Sequence, residues 1–464
     1  MSANHSGLPT LAVVGHTNVG KTSLMRTLMR DARFGDVAPT GATTRRVESA
    51  RLLADGRPEI ELFDTPGLED AGGVIERLEA IGPGRHEGPE RIRAFLETAG
   101  AQERFEQEAR VLRQVLESDA ILYVVDVREP VLGKYQDELA VIALAARPVL
   151  PVLNFTADPG ARVRRWRDAL ARVGLHAVAE FDTVVFSMSA EARLWRRLAT
   201  LAESRAAALE RLIADREARA RWQAAGARRM IADLLIDVAA ARRTAPRRDA
   251  DALAAARREL QDAVTKRERR FVAELLSLYR FREADYSDVP LPIGRRGWTT
   301  GPFDEGALAA AGARAGGGAA AGAAAGAAVD LATGGLSLGA GTVIGALTGG
   351  GAGAAWTIRR DLADRVRGRV AIRPDTAVLN VIAGRAFALL DALQQRGHAA
   401  TTPIHTGGGY PEPWTGGEPP AALRRARNHP DASTLNPGRT NDERRRALAE
   451  ALAEALARRP KAAD

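Results

Sequence analysis

A glycine-rich stretch near the start of the chain, GHTNVGKTS, has the residue types that can hold a triphosphate. Two glycines let the backbone curl so that consecutive N–H groups point into one concavity, and the helix that follows adds its N-terminal dipole. A lysine at this spacing reaches the β and γ phosphates, and the next threonine hydroxyl can coordinate Mg²⁺. The predicted nucleotide-contacting residues of this stretch are Gly15, Asn18, Val19, Gly20, Lys21, Thr22 and Ser23.

Two later segments contain the polar residues that a nucleotide-dependent switch requires. PTGATTR contains Thr44, which is predicted to complete the Mg²⁺ coordination and to sense the γ-phosphate. DTPG follows an apolar run, and it offers Asp64 for a metal-bound water and the Gly67 backbone N–H for the γ-phosphate. We therefore predict that Thr22, Thr44 and Asp64 hold Mg²⁺.

Together, GHTNVGKTS, PTGATTR and DTPG resemble the first three motifs of bacterial Era/TrmE-type P-loop GTPases. The resemblance implies hydrolysis of GTP to GDP and phosphate, with Mg²⁺ as the cofactor. The catalytic residues that it implies are Lys21, Thr44, Gly67 and Asn18. Asn18 stands where many members carry a potassium-coordinating asparagine, and Leu68 stands where Ras-like proteins carry a water-orienting glutamine. The resemblance therefore implies slow hydrolysis and allows stimulation by K⁺, while Leu68 is equally compatible with packing in the core.

The segments expected to recognise the base depart from the family pattern. Where these GTPases carry [NT]-K-x-D, this chain has NFTAD, which retains Asn154 but has Phe155 in place of the lysine. Asp158 comes one residue late and would reach guanine only if the loop bulges; alternatively, Phe155 stacks where the lysine stem would lie. Ser189 and Ala190 in FSMSA resemble the SA[KL] loop, whose backbone N–H contacts guanine O6. Guanine specificity is therefore predicted from the resemblance.

The surrounding sequence predicts the elements that would position these residues. The apolar runs typical of buried strands are 11–14, 59–63, 118–127, 148–155 and one that contains 184–186. Helical patterns alternate with these runs, which favours a mostly parallel sheet with helices on both faces. Residues 67–118 fit either a helical insertion or a mobile surface loop. The predicted fold class is α/β, a P-loop GTPase domain followed by a mainly α-helical domain.

Beyond about residue 200 the pattern becomes helical. From 191 to about 281 glycine and proline are almost absent, and apolar residues recur three and four positions apart, which predicts long amphipathic helices. Their arginines alternate with acidic residues, as on a solvated helix face or, alternatively, on an RNA-binding surface. The predicted segments are 1–200 for the GTPase domain, 201–300 for long amphipathic helices, 301–360 for a Gly/Ala-rich apolar hairpin, and 361–464 for a helical C-terminal region with an irregular stretch at 401–439.

The Gly/Ala-rich segment, residues 306–358, allows three interpretations. Its glycines recur four apart, which permits close helix approach, and residues 331–358 are uncharged over a length that could span a bilayer. Membrane-inserting helices are favoured over a buried soluble hairpin and over a flexible linker. The predicted partners are guanine nucleotide, a membrane surface through 306–358 and an unidentified protein effector, with nucleic acid less favoured.

Composition excludes several other kinds of site. The chain has 464 residues and no cysteine, so disulfides, thiolate zinc sites and cysteine nucleophiles are impossible. Only four of its 66 basic residues are lysines, and because the arginines are spread among acids, the net charge of +8 is weak evidence for nucleic-acid binding. The first residues lack a secretory signal pattern, so the expected location is the cytoplasm, with peripheral or inserted attachment at the inner membrane as an alternative.

The predicted function is that of a GTP-hydrolysing conformational switch that controls membrane association of its C-terminal domain. Two alternatives differ in class. One is an RNA- or ribosome-associated GTPase, which would bind RNA in a salt-sensitive way. The other is a nucleotide-binding scaffold with little hydrolysis.

Overall fold

The computed structural model describes residues 7–31, 34, 47–81, 87–287, 367–404, 413–414, 418–438 and 440–458. The predictions made for Thr44 and for the Gly/Ala-rich segment lie outside these residues. The chain divides into two compact units, of which the first is Met1–Trp222 with Gln394–Thr402 and the second is Gln223–Leu393 with Pro403–Asp464. A short segment from late in the chain therefore completes the first unit.

The first unit is built on a six-stranded sheet. Its strands are β1 (Thr10–Val14), β2 (Glu48–Ala54), β3 (Arg57–Asp64), β4 (Ala120–Asp126), β5 (Val149–Asn154) and β6 (Ala179–Glu180). They lie in the order β2-β3-β1-β4-β5-β6, with β2 antiparallel to β3 and all other neighbours parallel. The carboxyl ends of the parallel strands consequently meet at one edge, where ligands bind in open α/β sheets.

Helices cover both faces of this sheet. The helices of the first unit are α1 (Lys21–Met29), α2 (Ala71–Ile81), α3 (Gly88–Leu96), α4 (Ala99–Glu103), α5 (Glu106–Glu117), α6 (Gly133–Ala143), α7 (Val163–Arg172) and α8 (Met188–Leu201). Leu11 and Val13 of β1 pack with α1 and α8, whereas Ala12 and Val14 pack in a second core with α2, α3, α5 and α6. The α/β prediction is confirmed, and the described part of 67–118 is helical, as the insertion interpretation expects.

Residues 184–186 differ from their prediction as part of a strand. β6 contains only two residues, and 184–186 lie in the loop that follows it. The Asp182 carboxylate accepts the N–H groups of Val184 and Val185 over 2.8 and 2.9 Å. Because these amides turn back onto Asp182, they do not continue the ladder with β5.

The second unit is mainly helical, as predicted. Its elements are the later part of α9 (Ala206–Ala240), β7 (Arg243–Pro246), α10 (Ala250–Leu278), β8 (Arg369–Ile372), α11 (Thr376–Gln395), α12 (Ala421–Ala426) and α13 (Asp442–Ala457). β7 and β8 pair antiparallel, and Asn441 caps α13 by accepting the Arg444 N–H. Among the described residues, α11 is the one helix long and apolar enough to cross a membrane, and most of its apolar stretch is buried.

A buried ionic cluster holds three helices of this unit together. The Asp237 carboxylate on α9 accepts hydrogen bonds from Arg267 on α10 over 2.8 Å and from Arg445 on α13 over 3.0 Å. The Thr434 N–H and hydroxyl also donate to it, over 2.8 and 2.9 Å. Burial alone would raise the pKa of Asp237, but the hydrogen bonds and charges of its partners outweigh burial and hold that pKa below its usual value. Asp237 is therefore a fully satisfied carboxylate.

Candidate functional site

The loop between β1 and α1, residues 15–20, requires glycine at both ends. Gly15 has a φ of 150°, and a Cβ there would lie 2.4 Å from the carbonyl oxygen of Val124 in β4. Gly20 has a φ of 94°, and its Cβ would lie 2.3 Å from the side-chain nitrogen of Asn154. Asn18 is also left-handed, with a φ of 65°, which asparagine tolerates better than most residues. These conformations let the loop curl at the N-terminus of α1, where anions bind.

Lys21 lies folded back over this loop. Its buried ammonium donates to the carbonyl oxygens of Gly15 over 3.0 Å and His16 over 2.7 Å. Burial lowers the pKa of Lys21 to about 8, although the charges of Asp64 and Glu138 oppose this shift. Phosphate oxygens would offer the ammonium negative charge in place of two neutral carbonyls, so the lysine is suited to exchange partners when an anion arrives.

Thr22 and Asp64 form the polar pair expected of a magnesium site. The Thr22 hydroxyl donates to Asp64 Oδ2 over 2.6 Å at the carboxyl end of β3. Asp64 is 1% exposed, and its Oδ1 has no hydrogen-bond partner within the part of the chain that the structure describes. Burial raises the pKa of Asp64 to about 6, while the Thr22 hydrogen bond and the Lys21 charge act in the opposite direction. A buried carboxylate with an unpaired oxygen beside a hydroxyl suits Mg²⁺, so these residues fit the metal.

The segment after β3 is held against the glycine loop. Gly67 lies so close to Thr17 that a Cβ would come within 2.3 Å of Thr17 Oγ1. Gln107 of α5 donates to the Gly67 carbonyl over 2.6 Å. The Leu68 side chain is fully buried in the core with α2 and α3, in agreement with its packing interpretation. A side chain in the core cannot orient a water molecule at the loop.

A buried polar network beside the loop was not predicted from the sequence. His16 Nδ1 lies 2.7 Å from Glu138 Oε1 and 3.1 Å from the Leu68 carbonyl oxygen. The Tyr123 hydroxyl donates to Glu138 Oε2 over 2.7 Å. Glu138 is buried on α6, so the network connects the loop to β4, α6 and the segment after β3. No local pattern marks Glu138, because it occurs in an ordinary helical sequence.

On the base side, Asn154 joins two loops. Its Nδ2 donates to the Val19 carbonyl of the glycine loop over 3.0 Å, and its Oδ1 accepts the Thr183 N–H over 3.0 Å. The next residue, Phe155, has a φ of 60°, and its ring centroid lies 3.8 Å from the guanidinium carbon of Arg128. The position of the family lysine is therefore occupied by an aromatic ring under an arginine.

Asp158 lies away from this junction. It is exposed, and its carboxylate accepts the Gly160 N–H over 2.7 Å in a local turn. The third residue after Asn154, where the family carries its aspartate, is Ala157, and its N–H donates to Asp182 over 3.0 Å. The structure therefore brings Asn154, but not Asp158, to the glycine loop.

Ser189 and Ala190 lie in the first turn of α8. The Ser187 hydroxyl caps this helix by accepting the Ala190 N–H over 3.4 Å, and it also lies 2.9 Å from Ser189 Oγ. The residue that contacts Asn154 is instead Thr183, in the segment 181–187 between β6 and α8. The structure therefore places Ser189 and Ala190 at the start of a helix, and the residue that contacts Asn154 precedes them in the chain. An aspartate followed by threonine after a short strand is a turn signal that could have indicated this loop.

Comparison with known proteins identifies two families along the chain. Residues 10–155 match the family described as 50S ribosome-binding GTPase, and residues 167–454 match the domain of unknown function DUF3482. A GTPase Der of Xylella fastidiosa is 34% identical over 149 residues, which cover 32% of this chain and 25% of that protein. A tRNA modification GTPase MnmE of Streptococcus suis is 29% identical over 139 residues, 30% of this chain and 24% of that protein. The chain thus spans about a quarter of the length of these relatives.

Similar solved structures include two of Era. A crystal structure of Aquifex aeolicus Era bound to GDP and AlF4⁻ is 18% identical, with a TM-score of 0.27, and covers 38% of this chain and 51% of that one. Era in complex with MgGDPNP and a segment of 16S ribosomal RNA is 16% identical, with a TM-score of 0.29 and the same coverage. The DUF3482 match covers more than half of this chain, so the chain belongs to that family. Its N-terminal part is a GTPase-family domain with homology to those of Der and MnmE.

Proposed function

We propose that the N-terminal domain binds and hydrolyses GTP and acts as a conformational switch. The observation that carries this proposal is the convergence of three buried side chains at the glycine loop. The Thr22 hydroxyl meets Asp64, whose second oxygen is unpaired among the described residues, and the Lys21 ammonium rests on two loop carbonyls. Together they offer a cation-binding carboxylate and an anion-binding ammonium within one site.

Each group of residues at the glycine loop is assigned one part of the nucleotide or the metal. The loop amides and Lys21 hold the β and γ phosphates, and Thr22 and Asp64 hold Mg²⁺ together with Thr44. When bound, Mg²⁺ neutralises charge on the phosphate oxygens. Gly67 lies against Thr17 of the loop, and its backbone N–H is the group that we expect to contact the γ-phosphate. Loss of the γ-phosphate would release this segment, which is the basis of a switch.

Binding is tested by calorimetry with GTP and Mg²⁺, on the wild type, Lys21→Ala and Lys134→Ala. Lys134 is an exposed lysine of α6, so its variant is a matched control. We expect Lys21→Ala to weaken GTP binding at least a hundredfold and Lys134→Ala to leave it within twofold. Equal affinities of all three proteins, or a wild type that binds no nucleotide, would contradict the proposal.

We also propose slow intrinsic hydrolysis that K⁺ stimulates. The buried Leu68 provides no polar group to orient water, whereas Asn18 is exposed on the left-handed part of the loop, where a monovalent cation could reach its side-chain oxygen. Phosphate release is measured in potassium and in sodium buffers. The wild type should be at least fivefold faster in K⁺, and Asn18→Ala should lose this difference while still binding GDP.

Guanine preference is proposed to be weaker than in relatives that carry the family aspartate. Ala157 stands at that position, and Asp158 is engaged with Gly160. We expect Asp158→Ala to change the ratio of GTP to ATP affinity less than threefold. Ala157→Asp should raise the same ratio at least tenfold, because a carboxylate accepts both guanine N–H groups and repels adenine N1. A large fall in the ratio of GTP to ATP affinity in Asp158→Ala would show that Asp158 does contact the base.

Two partner predictions from the sequence stay predictions. Membrane association through 306–358 is tested by flotation with anionic liposomes in the GDP and the GTP-analogue states, with binding expected in one state only. An RNA- or ribosome-associated role, in line with the family description 50S ribosome-binding GTPase, would instead give salt-sensitive RNA binding. The cytoplasmic location, with attachment at the inner membrane, is part of the same proposal.

A further inference from the structure

The segment Gln394–Thr402 forms strand-like contacts with the loop after β6. It follows the body of α11 in sequence but belongs to the first compact unit. The Phe186 N–H donates to the Gln395 carbonyl over 2.7 Å, and the Gly397 N–H donates to the Val184 carbonyl over 2.9 Å. An isolated antiparallel bridge lies between these two hydrogen bonds. We call residues 395–397 the strap and residues 183–186 the base loop.

Gly397 lets the strap approach the base loop closely. A Cβ at this position would lie 1.9 Å from the carbonyl oxygen of Thr183 and 2.6 Å from its carbonyl carbon. Both are backbone atoms, so rotation of a side chain could not relieve the overlap. The strap is also fixed from its other side, because the Arg396 guanidinium donates to the carbonyls of Ala400 and Thr402 over 2.9 and 2.6 Å.

The base loop is in turn connected to the phosphate side of the site. The Thr183 N–H donates to Asn154 Oδ1, and Asn154 Nδ2 donates to the Val19 carbonyl of the glycine loop. The Thr183 carbonyl, which faces Gly397, also accepts the hydroxyl of Thr27 on α1 over 3.1 Å. Thr183 is therefore held by Asn154, by α1 and by the strap, and all of these contacts lie within the first unit.

We propose that the base loop contacts the purine half of the nucleotide and that the strap, by positioning this loop, determines how tightly the purine is held. This inference rests on the proposed nucleotide binding. A base loop that is already ordered loses less conformational freedom when it contacts a base, so the strap contributes affinity without touching the ligand. Gly397 is thus a positioning residue. By linkage, a nucleotide that contacts the base loop stabilises the strap by the same factor.

The variant that tests this proposal is Gly397→Ala in the full chain, with Gly133→Ala as a control. Gly133 has no atoms within 4 Å of a built Cβ, so its variant adds the same methyl group without a clash. Two probes separate the halves of the site: dissociation of a fluorescent GDP reports on base and phosphates, and competition by inorganic tripolyphosphate reports on the phosphate loop alone. Gly397→Ala should speed GDP dissociation at least tenfold and leave tripolyphosphate inhibition within twofold. Gly133→Ala should change neither.

Other outcomes are equally informative. Unchanged GDP dissociation in Gly397→Ala would overturn the proposal, and so would an equal loss of tripolyphosphate binding, because the effect would then concern the whole site. A wild type that binds neither probe would instead refute the proposed function itself.

Hydrogen exchange of the wild type provides a test that depends on no variant. The amides of Phe186 and Gly397 should exchange at least fivefold more slowly with GDP than with tripolyphosphate. Equal protection by the two probes would contradict the coupling between base loop and strap.

Discussion

Two buried aspartates, one in each unit, show how the same side chain serves different ends. Asp64 is 1% exposed and Asp237 is 0% exposed, so both carboxylates are shielded from bulk water. The pKa of Asp64 is raised to about 6 by burial, whereas that of Asp237 is lowered because hydrogen bonds and charges from its partners outweigh burial. Asp64 receives one side-chain hydrogen bond from Thr22, whereas Asp237 receives several from two arginines and a threonine.

The difference is that Asp64 has an oxygen with no hydrogen-bond partner among the described residues, whereas the carboxylate of Asp237 is fully hydrogen-bonded. A buried charge costs free energy unless it is paired. Because Asp64 is only partly hydrogen-bonded, its ionised form lowers the stability of the ligand-free protein and favours binding of a cation. The complete environment of Asp237 does the opposite, since removing any partner would leave charge uncompensated. Hydrogen bonding, and not burial, therefore distinguishes Asp64 from Asp237.

The largest effect on stability is expected for Asp237→Ala. This variant leaves Arg267 and Arg445 largely buried without their common carboxylate. We expect the free energy of unfolding to fall by about 3–5 kcal/mol, as for other broken buried pairs. Urea denaturation followed by circular dichroism measures it, and Asp262→Ala, on the exposed face of α10, is the control with a change below about 0.5 kcal/mol. A loss as small as that of the control would remove the contrast.

Asp64→Asn should act in the opposite direction on stability. The amide oxygen can still accept the Thr22 hydroxyl, while the buried charge disappears. A pKa raised from 3.8 to about 6 means that the folded protein disfavours the ionised form of Asp64 by roughly 3 kcal/mol. We therefore expect the free energy of unfolding of the ligand-free variant to rise by about 1–3 kcal/mol at pH 7. Mg²⁺-dependent GTP binding should weaken at least a hundredfold. Asp168→Asn, an exposed substitution on α7, should change neither quantity, and a destabilised Asp64→Asn would indicate a structural carboxylate.

The two aspartates should also respond differently to acid. The native pKa of Asp64, about 6, exceeds the ordinary 3.8, so the native state binds more protons between these values and gains stability as pH falls from 7 to 4. The stabilisation from Asp237 is present above 3.8 and is lost only as pH falls through its lower native pKa. In denaturation curves from pH 4 to 8, the advantage of Asp64→Asn over wild type should shrink below pH 6, while the deficit of Asp237→Ala stays constant. Parallel trends would contradict this assignment.

The smallest effect on stability is expected for a variant that removes a solvent-exposed ion pair. On α3, the Arg93 guanidinium nitrogen and Glu90 Oε1 are 2.9 Å apart, but the two side chains are 58% and 63% exposed. Arg93→Ala should therefore lower the free energy of unfolding by less than about 0.5 kcal/mol in the same denaturation assay. An effect comparable to that of Asp237→Ala would show that pairing alone, without burial, explains the ionic cluster.

Local spacing was sufficient to predict that Lys21, Thr22 and Asp64 meet at the glycine loop. The two glycines, Lys21 and Thr22 lie within eight residues, and Asp64 directly ends an apolar strand, so each is fixed by the element next to it. The alternating strands and helices likewise fixed the α/β class, and the long amphipathic helices indicated a helical second part. These patterns are local because hydrogen bonding and burial repeat with the period of each element.

The contacts around Asn154 and residues 183–186 could not be predicted in this way. The base loop is defined by Asp182, which turns the chain, and by contacts with Asn154 and Gly397, which lie far from it in sequence. Glu138 is similarly recognisable only once His16 and Tyr123 are seen around it. Long-range contacts leave no periodic trace, so the hydrogen bond between Asn154 and Thr183 has no signal in the local sequence.

The late return of residues 394–402 to the first unit has a consequence for synthesis. A ribosome completes the sheet of that unit and then adds everything from Gln223 to Leu393 before the strap is made. At 5–20 residues per second, this interval is on the order of ten seconds or more. The nascent first unit spends that time with the edge at residues 183–186 uncovered, exposed to chaperones and to nucleotide. Its maturation is therefore timed by translation of the second unit.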